Sequence, residues 1–132
     1  MLIPTLHFCG DCNDAISLYE KAFSTKADEI VRNYDYDPEE YAGDMQIAHA
    51  SMKIHGQTIF LNDRCEFANV GKSLEGSMHL IVQFQSTEDL LACYEYFKDS
   101  STIVDPFVQV PYSALFGNFM DKFGILWGFM VV

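Results

Sequence analysis

Asp14-Ala-Ile-Ser-Leu-Tyr-Glu-Lys-Ala-Phe23 and Asp89-Leu-Leu-Ala-Cys-Tyr-Glu-Tyr-Phe-Lys98 are two versions of one segment, 75 residues apart. Each opens on an acid, continues with an apolar pair and reaches Tyr-Glu five residues on. Ala15, Ile16, Tyr19, Ala22 and Phe23 in the first, and Leu90, Leu91, Tyr94 and Phe97 in the second, recur at helical spacing. Each copy is therefore an amphipathic helix with one apolar stripe. A helix repeated within 132 residues implies two similar half-domains. A cleft between the halves is the natural place for function, lined by residues at equivalent places in each.

The flanks repeat as well. Residues 2–9 read as a strand that Gly10 breaks, with Asp11 or Asn13 as the helix cap. Residues 29–36 form a second strand. Residues 45–54 alternate, with Met45, Ile47, His49 and Ser51 on one face and Gln46, Ala48, Ala50 and Met52 on the other. His55-Gly56 is a turn, followed by a short strand over 58–61. Residues 64–77 connect the halves. In the second half, 78–84 is a strand and Ser86-Thr-Glu-Asp starts a helix with its own cap and early acids. Residues 102–110 form a strand interrupted near Pro106. Strands over 114–120 and 125–132 hinge at Phe123-Gly124. The order β-α-β-β-β thus appears twice, an α+β fold. One domain spans 1–132, with module one at about 1–66 and module two at about 67–132. The helices align at offset 75, pairing Pro4 with His79. The glycine turns, Gly56 and Gly124, align at offset 68 and pair Phe60 with Gly128. The first half therefore has the longer middle.

Composition narrows the class. With 49% apolar residues and 14% aromatics the chain is built to fold. A chain of 132 residues buries about two-thirds of its unfolded surface. No apolar run reaches the roughly 18 residues of a membrane helix, and the N-terminus lacks the basic region and apolar core of a signal peptide, so a cytoplasmic location is expected. A net charge of −11 argues against nucleic acid, whose phosphates attract basic patches. Much of that charge (Asp28, Glu29, Asp35, Asp37, Glu39, Glu40 and Asp44) falls in one stretch, read as a solvated loop. It is not a calcium loop of the EF-hand type, which needs glycine where Glu40 stands. Gly-rich phosphate loops and the G-x-S-x-G hydrolase elbow are both absent. The four cysteines read as reduced thiols.

The segments Leu6-His-Phe-Cys-Gly-Asp-Cys-Asn-Asp-Ala-Ile-Ser-Leu-Tyr-Glu-Lys-Ala-Phe23, Ile47-Ala-His-Ala50, Ile54-His-Gly-Gln-Thr-Ile-Phe-Leu-Asn-Asp63 and Gly117-Asn-Phe-Met-Asp-Lys-Phe-Gly-Ile-Leu-Trp127 resemble the vicinal oxygen chelate superfamily. That superfamily includes glyoxalase I, extradiol dioxygenases and bleomycin-resistance proteins, and the wording here is closest to its PhnB-like branch. The resemblance implies curved sheets from two modules enclosing a cleft, and a homodimer. In metal-dependent members, four side chains from the first and last strands of each module hold a divalent ion. The ion acts as a Lewis acid or, with iron, activates oxygen.

By the repeat register those four places fall near Pro4, Phe60, His79 and Gly128. Only His79 carries a donor, and a slip of a residue or two adds Asp63 alone. A catalytic site needs about three protein ligands. No metal and no cofactor is therefore expected, and a divalent ion is disfavoured. The expected function is binding of a small molecule in the cleft, as bleomycin-resistance relatives sequester a ligand without chemistry. The cleft residues would be His49, Phe60, Asp63, His79, Tyr112 and Trp127, with Tyr112 at a place where PhnB-like relatives carry an aromatic. The alternative is a lyase or isomerase with His79 as catalytic base, since histidine ordinarily titrates near neutral pH. A third reading is a thiol-redox protein, because Cys9-Gly-Asp-Cys12 lies between a strand and a helix. The alternating parallel β-α pattern that would follow such a motif is missing.

Overall fold

The computed structural model describes residues 1–71 and 78–132. The expected connection over 64–77 therefore lies partly outside the described residues. The chain divides into two compact units, Met1–Gly71 and Lys72–Val132. The first contains β1 (Thr5–Phe8), α1 (Cys12–Ala22), β2 (Ala27–Arg32), α2 (Asn33–Tyr36), β3 (Ile47–Ile54), β4 (Gln57–Asp63) and α3 (Cys65–Gly71). The second contains β5 (Leu80–Phe84), α4 (Thr87–Tyr94), β6 (Thr102–Val110), β7 (Ser113–Met120) and β8 (Leu126–Val131). Each unit has one four-stranded mixed sheet, ordered β1-β4-β3-β2 and β5-β8-β7-β6. The α+β architecture with β-α-β-β-β given twice is as the sequence reads. No helix among the described residues is long and apolar enough to cross a membrane.

In the first unit one sheet face is covered by α1. Leu6, Phe8, Ala50, Met52, Ile54, Ile59 and Leu61 are buried there with Ala15, Ile16 and Tyr19 of the helix. Phe8 and Phe23 both meet the Tyr19 ring. The second unit repeats this with larger side chains. Tyr94 and Phe97 pack on Phe119, and Phe97 also meets Trp127 and Phe129. Each fully buried aromatic or aliphatic side chain contributes about 1.5–3 kcal/mol. Period-2 alternation leaves the other face of each sheet free of that core.

The helix caps differ in origin. Ser86 accepts from Asp89 N–H at 3.1 Å, the cap expected for α4. For α1 the expected caps do not act. Asp11 makes no cap bond to the helix, and Asn13 accepts from the Arg32 guanidinium. Asp63 at the end of β4 accepts from Cys12 N–H at 3.2 Å instead. A carboxylate at a helix N-terminus relieves an orphan donor wherever in the chain it comes from.

Several boundaries move. β2 stops at Arg32, and the expected strand end is the short helix α2. The acidic loop that follows is closed by its own acids. Asp37 accepts from the Glu39 and Glu40 amides, and Asp44 from the Gln46 amide. Pro106 does not end β6. The strand continues through register shifts on either side of Asp105, which an edge strand tolerates because its outer N–H groups are unpaired.

The repeat register needs one correction. Arg64 N–H donates to Phe8 O, and Val132 N–H donates to Phe84 O, as matching ladder ends. The last strands keep offset 68, but the first strands are 76 residues apart rather than 75. Pro4 therefore corresponds to Leu80, and His79 to Ile3. The extra residue sits between β1 and α1, where Gly10 turns the chain at φ +89°.

Candidate functional site

In the first unit Thr5 pairs with Phe60 and His7 with Asn62 across β1 and β4. All four lie on the face opposite α1. Nδ1 of His7 is 2.7 Å from Asn62 Oδ1, a hydrogen bond between the two side chains. The His7 and Phe67 rings, the latter on α3, meet edge-on at 4.9 Å between centroids, and the Arg64 guanidinium covers Phe67 at 4.0 Å. Beside this row, the His49 and Phe60 rings meet edge-on at 4.7 Å. The face thus offers two imidazoles, an amide and aromatic edges, a surface suited to a planar or polar organic ligand.

In the second unit the missing side chain of Gly128 leaves a notch that neighbouring side chains fill. Gly128 pairs with Ile81 on β5 and Asn118 on β7. A Cβ at Gly128 would lie 2.7 Å from Asn118 Oδ1 and 3.2 Å from both His79 Nε2 and Ile81 Cγ1. The Asn118 amide donates to Asp105 Oδ2 at 2.8 Å, which turns its oxygen toward the notch. That oxygen is buried without a hydrogen-bond partner among the described residues. His79 itself is exposed.

The six expected site residues separate into groups. His49 and Phe60 are together on the first open face, and His79 stands at the notch. Tyr112 is in the β6–β7 turn, 67% exposed, with its ring 5.8 Å from Phe116. Two assignments are corrected. Trp127 is 1% exposed on the helix side of its sheet, and its indole N–H donates to Asp121 Oδ2 at 2.9 Å. It is a core residue. Asp63 is not an open anchor, because its carboxylate accepts from the Gly10, Cys12 and Ile47 amides at 2.8, 3.2 and 2.9 Å. It is the clasp that joins β4 to the start of α1 and to β3.

His7 was missed by sequence reasoning. Its signal lay in the period-2 alternation Thr5, His7, which faces Phe60 and Asn62 only once the parallel register is known. Asn118 was missed because its neighbour across the strands is a glycine that carries no side-chain signal.

The thiol reading is overturned. Cys9 is disulfide-bonded to Cys65, not poised with Cys12. Cys12 is buried at the start of α1, and that burial, with Asp63 and Asp11 nearby, pushes its thiol far up. Burial likewise pushes the Cys93 thiol up to about 12. Neither is an activated nucleophile.

A divalent ion does not fit the residues at the four family places. Phe60, Gly128 and Ile3 bring no donor, and His79 brings one, against about three in a catalytic site. Among the described residues no three His, Cys, Asp or Glu side chains come together to hold a metal.

Comparison with known proteins agrees on the family. The chain is 26% identical over 142 residues to Protein YjdN of Escherichia coli (strain K12), covering 99% of this chain and 95% of that protein. The solved structure of protein PA1353 from Pseudomonas aeruginosa superposes with TM-score 0.83 at 19% identity, covering 99% and 96% of the two chains. A structure described as a putative 3-demethylubiquinone-9 3-methyltransferase, PhnB protein, from Bacillus cereus gives TM-score 0.80 at 23% identity, covering 99% and 98%. At these identities the superpositions speak for the fold alone. The model of the Glyoxalase/Bleomycin resistance protein/Dioxygenase superfamily matches residues 2–129, and the chain belongs to that superfamily.

Proposed function

We propose that this protein binds a small organic molecule on the open faces of its sheets and holds no catalytic metal tightly. One observation carries the reading. Of the four places equivalent to those where catalytic relatives hold an ion, Ile3 and Phe60 in the first unit bring no donor, and in the second unit His79 brings one and Gly128 none. The same faces carry the His49–Phe60 ring pair and the His7–Asn62 hydrogen bond, which suit an aromatic or polar organic ligand. The family also supports a homodimer as the working form.

Two measurements test this. Elemental analysis of protein purified without chelator is expected to find zinc, nickel and iron well below one per chain. A stoichiometric ion that disappears in His79→Ala would overturn the reading. Thermal-shift screening against aromatic and glycopeptide-like compounds should find a ligand that raises Tm with concentration, since binding to the native state stabilises it by mass action. His49→Ala and Phe60→Ala should weaken that shift. A ligand whose shift ignores both substitutions binds elsewhere.

A further inference from the structure

The Cys9–Cys65 disulfide joins two segments that the backbone already holds together. Phe8 pairs with Asp63, and Arg64 N–H donates to Phe8 O at 2.8 Å, so the end of the β1–β4 ladder brings Cys9, one residue past Phe8, close to Cys65, two past Asp63, with their Cα atoms 4.4 Å apart. Asp63 grips the chain just past Cys9, through the Gly10 and Cys12 amides. None of these bonds needs the disulfide. Two thiols left here would remain neighbours, ready to pair again.

The bond is also accessible. Both Cys9 and Cys65 are exposed. Exposure admits an attacking thiolate, and exchange needs direct approach to one sulfur. The neighbouring Cys12 cannot take over the bond, because it is buried at the helix start.

What the bond holds is α3. Beyond the disulfide, this short helix is tied down by the Ala68 side chain, which is buried, and by Phe67 against the His7 ring. Phe67 is still 46% exposed. The Arg64–Glu66 ion pair is local and exposed, so it adds little. A seven-residue helix has no stability of its own.

We propose that Cys9–Cys65 is a reversible redox site that latches α3 over the His7 end of the open face. In the closing direction two thiols lose two protons and two electrons to a disulfide acceptor and form the S–S bond. In the opening direction a low-molecular-weight thiol or a dithiol protein attacks one sulfur and gives a mixed disulfide. A second thiol then resolves it. The Cys9–Cys65 bond breaks, both sulfurs end as thiols, and the donor leaves as its own disulfide. Opening frees α3, withdraws Phe67 from His7 and uncovers His7 and Asn62. The latch stands independently of ligand binding. Its effect on a ligand rests on the function proposed above.

The test uses wild-type protein equilibrated in mixtures of reduced and oxidised glutathione, then trapped with N-ethylmaleimide and mapped by mass spectrometry. Cys9 and Cys65 are expected to gain label together and lose it on return to oxidising buffer, while Cys12 and Cys93 stay unlabelled. Hydrogen exchange on the same samples should speed up about tenfold or more at 65–71 on reduction, with β3 and β4 unchanged. The Cys9→Ser and Cys65→Ser variants should reproduce the reduced exchange pattern without any reductant. Three results overturn the proposal: a bond that resists excess reduced glutathione in the folded protein, a reduction that exposes Cys12 at the same time, or an α3 whose exchange ignores the redox state. None of these readouts contains ligand, so a failed ligand screen leaves the latch intact, and the reverse.

Discussion

The indole N–H of Trp127 donates to Asp121 Oδ2 at 2.9 Å in the core of the second unit. Asp121 is 4% exposed. Its other oxygen accepts from the Phe123 and Ile125 amides at 2.9 and 3.0 Å. Gly124 turns the chain between them at φ +90°. Asp-Lys-Phe-Gly-Ile-Leu-Trp, the most distinctive piece of the sequence, is thus a β7–β8 turn built around one buried carboxylate.

Asp121→Ala leaves a buried indole N–H and two turn amides without an acceptor. Each unsatisfied buried donor costs about 1–3 kcal/mol, so the loss should exceed 2 kcal/mol. Asp121→Asn keeps oxygen acceptance on one side and should cost about half as much. Urea unfolding followed by the fluorescence of the single tryptophan measures both. Equal stability of the Ala variant and wild type would remove the clasp.

Asp63 is the corresponding device in the first unit, and it separates structure from site. Asp63→Ala frees the Gly10, Cys12 and Ile47 amides and should destabilise by about 2–4 kcal/mol. Asp63→Asn should lose less. Any ligand found by screening should bind folded Asp63→Asn with unchanged affinity, measured by calorimetry. A tenfold loss there would restore Asp63 as a ligand contact.

The contrast between these carboxylates and the histidines explains what could be read from the sequence. Helices repeat because Tyr19 and Tyr94 sit in the same apolar stripe, and stripes are local patterns. The order of strands followed from the same local signals. Pairing is not local. The one-residue difference between β1 and β5 was hidden because Gly10 absorbs it in a turn. Asp63 read as a cleft residue because the amides it holds, at Gly10, Cys12 and Ile47, lie far from it in sequence. Cys9 and Cys65 are 56 residues apart, and only the β1–β4 ladder makes them neighbours. α3 is only seven residues long, too short for its apolar positions to mark a helical period.

Gly128→Ala tests the notch. The new Cβ would meet Asn118 Oδ1 at 2.7 Å, tighter than real Cβ contacts allow, with His79 and Ile81 close behind. Asn118 cannot retreat without releasing Asp105. The substitution should cost about 1–3 kcal/mol through overpacking. A crystal structure of the variant with an undisturbed Asn118–Asp105 bond would contradict the argument.

Alkaline stability follows from Cys12 and Cys93. Burial raises both thiols above their ordinary value of 9.0, Cys93 to about 12. A raised pKa means the folded state keeps a proton that the unfolded state releases. Their contribution is therefore complete below pH 9 and declines as pH rises from 9 toward 12. Cys93→Ala deletes one such thiol at the price of a small cavity. It should be less stable than wild type at pH 7, and the gap should narrow as pH rises above 9. Urea midpoints at pH 7, 9 and 10.5 measure this, with Cys93→Ser as a second variant of similar size. A gap that stays constant across that range would mean that the Cys93 proton is not linked to folding.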